Sequence, residues 1–175
     1  LSPVQQKFIL HWGEMGTRWG INRTVAQIHA LLFISPSPLP AEEIADTLQV
    51  ARSNVSTSLK ELQAWGIIRR VHVLGDSRDH FESMKDVWEM FRVVLDERKK
   101  REIDPTLSVL RECIIEAEQG KATDDYTEQK LRELAGFFET TNAWYGQIRN
   151  WPASAVVKFI KLGDKVRKLL SLGDS

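Results

Sequence analysis

The histidines, the single cysteine and the carboxylates are the residues with which this chain could catalyse a reaction or hold a metal. Four histidines and one cysteine are scattered along the 175 residues, at His11, His29, His72, His80 and Cys113. A structural zinc site needs four ligands in one place, and only His72 and His80 could meet, across a hairpin. The carboxylates alternate with basic residues as on solvated helix faces, and no phosphate-binding, dinucleotide-binding or nucleophile-elbow motif is present. These patterns predict no enzyme, no cofactor and no metal.

A second group of residues combines short polar side chains with positive charge. Between Ala51 and Phe81 there are five lysine and arginine residues against three acids, although the whole chain carries 24 of each sign. A helical reading places small polar residues on one face, at Ser53, Asn54, Ser56 and Thr57, beside Lys60. Such a face can approach a DNA major groove closely and hydrogen-bond to base edges and phosphates, although a solvated helix face has the same composition.

The elements around this face are predicted from the spacing of the apolar residues. A helix over Ala41–Leu48 is followed by a short turn and a second helix from about Arg52 to Trp65. The β-branched stretch from Ile67 to Val73, turn residues at Gly75–Ser77 and a return strand near Phe81 then predict a ribbon. This order is that of a winged helix-turn-helix. The fold class we expect is mainly α with a small two-stranded β-wing, flanked by further helices.

The expected DNA contacts follow from this order. The helix contributes the polar face, and the wing contributes arginines beyond the turn. Arg78 can reach a narrow minor groove, where arginine is attracted electrostatically, and Asp76 can hold it through a charge-assisted hydrogen bond. An ordinary polar turn is the alternative for this tripeptide. The predicted contact residues are Arg52, Ser53, Asn54, Ser56, Thr57, Lys60, Arg70 and Arg78, with Asp76 supporting the wing.

Helices also precede and follow this block. Apolar residues from Val4 to Trp19 predict a first helix capped by Ser2, and Asn22 is typical of the start of a second helix. From Met84 an apolar stripe predicts another helix, which Pro105 kinks or breaks, and a last helix follows Pro152. The predicted organisation is an N-terminal dimerisation helix over 1–20, a winged helix-turn-helix over 21–83, and a helical dimerisation and effector region over 84–175.

Several stretches resemble MarR-type transcriptional regulators. They are Pro40–Asp46, Val50–Leu62, Trp65–Ile68 and the Asp-x-Arg of residues 76–78. The longer match, from Gly16–Gly20 to the charged run 97–102, is similar to the GbsR branch, the glycine-betaine-synthesis repressors. This resemblance covers about residues 8–105. It departs from the family at Ala51, where a serine usually caps the recognition helix, a loss of about 1 kcal/mol of helix stability.

The resemblance implies a homodimeric repressor or activator that binds double-stranded DNA and dimerises through helices outside the winged domain. The apolar residues agree, because three stripes present more surface than one small winged domain can cover. Packing within one chain is the alternative. The stripes are the Val4, Phe8 and Trp12 face, Met84 to Leu95, and Val156 to Leu170.

An effector is suggested by the aromatic content, which includes six tryptophans. Aromatic faces attract a quaternary ammonium group, and the GbsR resemblance implies a choline-like or betaine-like ligand. Trp19 and Trp88 are the predicted contacts, because both flank the winged domain in sequence. The alternative is that the tryptophans belong to the core and the dimer seam.

Composition limits the remaining possibilities. Cys113 has no partner for an internal disulfide, which fits a reducing cytoplasm, and no run approaches the roughly 18 apolar residues that span a membrane. The neutral charge keeps two alternatives open, a winged-helix module that binds another protein in a larger assembly, and a DNA-binding protein without sequence preference.

Overall fold

The computed structural model describes residues 1–120 and 124–170, and among the latter it leaves out the side chains at 164, 167, 169 and 170. The chain divides into two compact units, Leu1–Val94 and Leu95–Ser175. The first unit contains helices, a small sheet and the start of a further helix. Its elements are α1 (Pro3–Arg18), α2 (Arg23–Ile34), β1 (Leu39–Pro40), α3 (Ala41–Leu48), α4 (Arg52–Trp65), β2 (Ile68–Val73), β3 (Asp76–Ser83) and α5 (Val87–Arg98).

The first two helices begin where the sequence predicts. Ser2 caps α1 in a capping box with Gln5, and Pro3 occupies the first turn. The Asn22 side chain accepts hydrogen bonds from the backbone N–H groups of Thr24 and Val25 at the start of α2. These caps satisfy amides that the helices themselves leave without partners.

The core of the first unit forms where α2, α3 and α4 meet. Its most deeply buried large side chains are Ile28, Leu32, Ile44 and Val55. Gln49 turns the chain between α3 and α4 in the left-handed conformation, at φ 54°. The start of α4 at Ala51 has no side-chain cap, as the sequence indicates. Packing of its inner face therefore stabilises α4 where capping does not.

The wing has one strand more than the predicted two-stranded ribbon. The sheet order is β1-β3-β2, and β1 pairs antiparallel with β3 through Leu39 opposite Phe81 and Pro40 opposite His80. The proline-rich stretch marked the end of α2 in the sequence. Proline also suits an edge strand, where its missing N–H costs no ladder hydrogen bond.

The second unit is helical over its described residues. Its core lies between α6 (Asp104–Glu118) and α7 (Asp125–Ile148), where Leu107, Leu110 and Ala135 are buried. Two ion pairs, Arg111 with Glu139 and Arg132 with Glu118, also join these helices. The predicted last helix is divided at Leu162 into α8 (Ala153–Lys161) and α9 (Gly163–Leu170). The predicted stripe residues Leu169 and Leu170 have side chains outside the described part.

The α-helix is interrupted just before Pro105, but the chain does not leave the helical path there. A π-helical turn over Lys99–Ile103 connects α5 to α6, and Pro105 lies in the first turn of α6. A proline removes one hydrogen-bond donor and crowds the preceding turn. The wider π-helical turn changes the hydrogen-bonding pattern immediately before it, so the chain continues as helix.

The close approach of α1 and α2 at Gly16 yields a stability prediction. A Cβ added at Gly16 would lie 2.6 Å from Cβ of Ala26, so we expect Gly16→Ala to lower the free energy of unfolding by about 1–3 kcal/mol. Gly146→Ala is the control for helix propensity, because nothing lies within 4 Å of its added Cβ. It should be stabilising by up to about 1 kcal/mol. Urea unfolding followed by circular dichroism measures both, and an unchanged or raised stability of Gly16→Ala would contradict the packing.

Candidate nucleic-acid interface

The outer face of α4 carries the predicted polar residues. Val55, Ser58, Leu59 and Leu62 are buried and attach the helix to the core. The predicted helix contacts are all exposed, namely Arg52, Ser53, Asn54, Ser56, Thr57 and Lys60. The helix therefore presents its small polar side chains to solvent while its apolar side chains stabilise the unit.

These residues divide between two neighbouring clefts. A groove of about 400 Å³ between α4 and the wing brings Ser56 and Lys60 together with Arg70 and Arg78. On the other flank, Asn54 and Thr57 border a cleft of about 190 Å³ beside Asn22 and Thr24 at the start of α2. Several residues that line these clefts were not predicted from the sequence, among them Gln63, Glu42, Asn22 and Thr24. Gln63 could have been predicted, because it follows Ser56 by seven positions and Lys60 by three and so lies on the same face of the helix. Glu42, Asn22 and Thr24 lie on other elements, and helical spacing could not reveal them.

One polar group of this face is already engaged. The Thr57 hydroxyl donates a hydrogen bond to the carbonyl oxygen of Ser53, at 3.1 Å. Its proton is therefore used within the helix, and its oxygen remains available as an acceptor. Thr57 is thus suited to accept a hydrogen bond from a base amino group or to contact a thymine methyl group.

The wing tip contains an irregularity that places Arg78 outside the strand ladder. His72 pairs with Asp79 but Val73 pairs with Asp76, so Ser77 and Arg78 have no partner residue on β2. Gly75 makes the turn at φ 85°, a conformation that glycine adopts without strain. A bulge of this kind changes the direction of the side chains it contains.

Asp76 and Arg78 form the pair that the sequence suggests. One Asp76 carboxylate oxygen accepts hydrogen bonds at 3.0 Å from both the backbone N–H and Nε of Arg78, and the other accepts from Nη2. These bonds hold the pKa of Asp76 well below its usual range. The Arg78 side chain is still 52% exposed, so it is oriented and accessible at once.

The other arginines of the ribbon are paired as well. Arg70 lies 3.1 Å from Asp79, and Arg69 lies 2.6 Å from Glu82. Both arginines are exposed, so these pairs contribute little to stability and can exchange partners. Arg70 faces the groove beside α4, whereas Arg69 lines a separate cleft on the other side of the ribbon.

The proposed meeting of His72 and His80 is wrong. In the ladder His72 lies opposite Asp79, and His80 is opposite Val71. His72 follows Val71 on β2, and successive residues of a strand point to opposite faces of the sheet. His72 is therefore on the exposed face and His80 on the buried face. Within residues 1–120 and 124–170, no cluster of three or more histidine, cysteine, aspartate or glutamate side chains is arranged to hold a metal ion. No described helix has the length and apolarity needed to cross a membrane.

A cavity of about 270 Å³ lies inside the first unit and is lined mainly by apolar and aromatic residues. Residues of α1, α2, α4 and α5 surround it. The predicted contact Trp19 lines this cavity, whereas Trp88 does not, because α5 turns Met90, Phe91 and Val94 toward it instead. The aromatic walls are Trp12, Trp19, Trp65 and Phe91, and one carboxylate, that of Glu61, also lines the cavity.

His29 is the buried polar residue of this cavity. It is 6% exposed, and its Nε2 atom has no hydrogen-bond partner among the described residues. Burial, together with the nearby Lys85 ammonium, lowers its pKa to about 4. The Lys85 ammonium itself donates hydrogen bonds to the carbonyl oxygens of Leu32, Phe33 and Ser35 at the end of α2. His29 is therefore a neutral imidazole at pH 7.

A polar helix that packs against a helical core and is followed by the β2–β3 ribbon of a three-stranded sheet defines a winged helix-turn-helix. Residues 19–79 match the sequence model of the MarR family. The chain is 20% identical over 154 residues to the HTH-type transcriptional repressor GbsR of Bacillus subtilis (strain 168), covering 84% of this chain and 85% of that protein. A crystal structure of a transcriptional regulator superposes with a TM-score of 0.67 at 20% identity, covering 84% of this chain and 96% of the other.

Residues 19–79 therefore carry the sequence features of the MarR family, and the structural similarity supports the winged helix-turn-helix fold. The resemblance inferred from the sequence motifs is thereby confirmed, as is the mainly α fold class with a β-wing.

The buried imidazole yields a prediction for stability against pH. The pKa of His29 is about 4 in the folded protein and 6.5 unfolded, so its contribution of about 3 kcal/mol is complete above pH 6.5 and is lost as pH falls toward 4. His29→Leu cannot take up this proton, so its stability should fall less steeply than that of the wild type across this interval. Urea unfolding at several pH values measures both profiles. The carboxylates cancel from the difference between them, because both proteins contain the same carboxylates. Parallel pH profiles would contradict a buried neutral histidine.

Proposed function

We propose that this MarR-type protein is a sequence-specific DNA-binding regulator that acts as a homodimer and responds to a small ligand. The observation that carries the proposal is the groove in which Ser56 and Lys60 of α4 face Arg70 and Arg78 of the wing. Short side chains at its helical edge permit close approach to base edges, and the arginines supply charge for the sugar-phosphate backbone. The similarity to a protein named a transcriptional repressor supports repression as the mode of action.

In this proposal α4 enters the major groove and the wing reaches the adjacent minor groove. Arg52, Ser53, Asn54 and Thr57 lie on the exposed helix face or toward α2, where they can contact bases and phosphates. Arg78 is held outside the ladder by Asp76, in a position suited to a narrow minor groove. Arg70 contacts phosphate by exchanging its Asp79 partner.

A protein-interaction module is the second candidate function, and the charge pattern of the wing favours it. Arg69, Arg70 and Arg78 are each paired with a carboxylate of the same ribbon, and the chain has no net charge. A neutral surface gives weaker nonspecific attraction to DNA than a basic one. The same binding measurement separates the two functions.

The test of DNA binding uses matched arginine variants of the wing. We expect Arg78→Ala to weaken binding to a duplex from the region upstream of the protein's own gene, and to lower the salt slope of log K by up to about one unit. Arg69→Ala also removes one paired arginine but from the other side of the ribbon, so it should leave both quantities near wild type. Fluorescence anisotropy at several salt concentrations measures them. Equal behaviour of the two variants would remove the wing from the interface, and absence of binding by the wild type would favour the protein-interaction module.

Homodimerisation is supported by an uncovered apolar stripe on α7. Leu131, Ala135 and Phe138 pack toward α6, while a different side of α7 leaves large side chains exposed. These are Tyr126, Leu134, Phe137 and Trp144. Their spacing places them along one side of the helix. A second copy of the chain would remove this stripe from water.

The predicted dimer stripes are used partly within the chain. Phe8 and Trp12 pack against the core of the first unit, and so do Met90, Val93 and Val94 of α5. Val4, Val87 and Trp88 remain exposed. The surface available for dimerisation in the first unit is therefore smaller than the sequence indicates, and the α7 stripe adds to it.

The dimer prediction is tested by sedimentation of two α7 variants. We expect a dimer for the wild type at micromolar concentration, and a shift toward monomer for Phe137→Glu, because a charge buried at an apolar seam is unfavourable. Ala143→Glu places the same charge at an exposed position off the stripe and should remain dimeric. On DNA, two half-sites about 10 base pairs apart, or a multiple of that, are expected. A monomeric wild type that stays monomeric on DNA would overturn the dimer.

The aromatic cavity supports a choline-like or betaine-like effector. Ring faces at Trp12, Trp19 and Trp65 offer cation–π attraction, and Glu61 supplies a carboxylate in an otherwise apolar lining. Trp88 lies outside this lining, so Trp19 is the better supported of the two predicted contacts.

Titration of choline and glycine betaine into the protein tests this effector. We expect quenching of tryptophan fluorescence and a change in DNA affinity at millimolar ligand. Trp19→Ala should weaken both responses, because it removes one wall of the cavity, and Trp88→Ala should preserve them. No fluorescence change, no heat and no effect on DNA binding would leave the tryptophans a structural role only.

A further inference from the structure

His80 occupies a buried position directly beneath the wing tip. It lies in the middle strand of the sheet, opposite Val71 on β2 and Pro40 on β1. Only 5% of its surface is exposed, although the aspartate and arginine at the wing tip are both accessible. A buried imidazole needs partners for its ring nitrogens, and here both partners belong to the wing tip.

The two ring nitrogens of His80 contact the two members of the Asp76–Arg78 pair. Nδ1 is 2.9 Å from the carbonyl oxygen of Arg78, and since a carbonyl oxygen can only accept, Nδ1 is the donor. Nε2 is 3.4 Å from the Asp76 carboxylate oxygen that also accepts from Arg78 Nη2, and this contact is an ion pair only when the imidazole is protonated. The imidazole therefore contacts the backbone of the arginine and the side chain of the aspartate at the same time.

We propose that His80 is a positioning residue for the wing arginine, acting through its contacts with the Arg78 carbonyl and the Asp76 carboxylate. This inference rests on the proposed DNA-binding function. Ser77 and Arg78 have no partner residue on β2, so the strand ladder does not fix this part of the backbone. The hydrogen bond from Nδ1 fixes the Arg78 carbonyl instead, and the contact at Nε2 limits where the carboxylate can lie. The guanidinium, which is bonded to that carboxylate, follows it.

Among the charged groups near this site, Asp76 and Arg78 are the ones that His80 contacts. Glu42 and Glu43 on α3 act electrostatically on Arg78 at longer range than Asp76. The contacts to the imidazole itself come from Asp76 and Arg78. A histidine with a purely structural role would stabilise the sheet without affecting the contact between Arg78 and DNA. Measurements of stability and of DNA affinity distinguish that role from positioning of Arg78.

The experiment is a double-mutant cycle between His80 and Arg78, measured by anisotropy on the same upstream duplex. We expect His80→Leu, which keeps an apolar side chain in the buried position, to weaken binding by roughly three- to tenfold, less than a fully lost guanidinium contact. The double variant His80→Leu with Arg78→Ala should bind like Arg78→Ala alone, since positioning has no effect once the arginine is absent. His80→Asn can restore the donor near Nδ1 and should recover part of the affinity.

Matched controls separate positioning from folding and from the proposed function itself. Ser83→Ala removes a buried hydroxyl at the far end of β3, where it donates to the Met84 carbonyl, and it should leave DNA affinity unchanged. Additive losses in the double variant, or a His80→Leu protein that is folded and binds like the wild type while Arg78→Ala binds weakly, would overturn the role of His80. If Arg78→Ala itself has no effect, the wing contact in the proposed function fails instead. Circular dichroism confirms that each variant compared is folded.

Discussion

Burial of the inner face of α4 is the constraint on which the candidate interface depends. Val55 is fully buried against the same core that contains Ile28, Leu32 and Ile44, and Leu59 and Leu62 extend the contact along the helix. This packing fixes the rotation of α4 about its axis, because side chains on a helix cannot exchange faces. The uncapped start at Ala51 makes the helix more dependent on this packing. The outward direction of Ser53, Ser56, Thr57 and Lys60 is a consequence of it.

The chain has no net charge, and many of its charged side chains form local pairs. The wing arginines are distributed along the ribbon, each with its own carboxylate, so the protein has no large basic field to attract DNA from a distance. Exposed ion pairs of this kind cost little to open, and a phosphate can replace a carboxylate. In the proposed function, binding then depends on geometrical fit in the groove between α4 and the wing, which would favour discrimination between sequences over general attraction to nucleic acid.

Features that arise from local patterns could be predicted from the sequence, and those that arise from pairing between segments could not. Helical periodicity located α1 to α4, and the caps at Ser2 and Asn22 followed from residue type. The Asp76–Arg78 pair is only two residues apart, so its contact was foreseeable. The register shift after His72, the third strand at Leu39–Pro40 and the pairing of Arg70 with Asp79 depend on how distant residues align. Likewise Trp65, and not Trp88, joins Trp19 in the cavity, because α5 packs with a different side inward.

Selection of duplexes from a random pool, followed by measurement of affinity at one fixed salt concentration, tests the central claim most directly. We expect the wild type to enrich a defined sequence and to bind it at least about a thousandfold more tightly than a scrambled duplex of the same composition. Thr57→Val, which keeps the shape of the exposed side chain but removes its oxygen, should reduce this ratio more than it reduces binding to the scrambled duplex. Equal affinity of the wild type for selected and scrambled duplexes would contradict sequence recognition by α4.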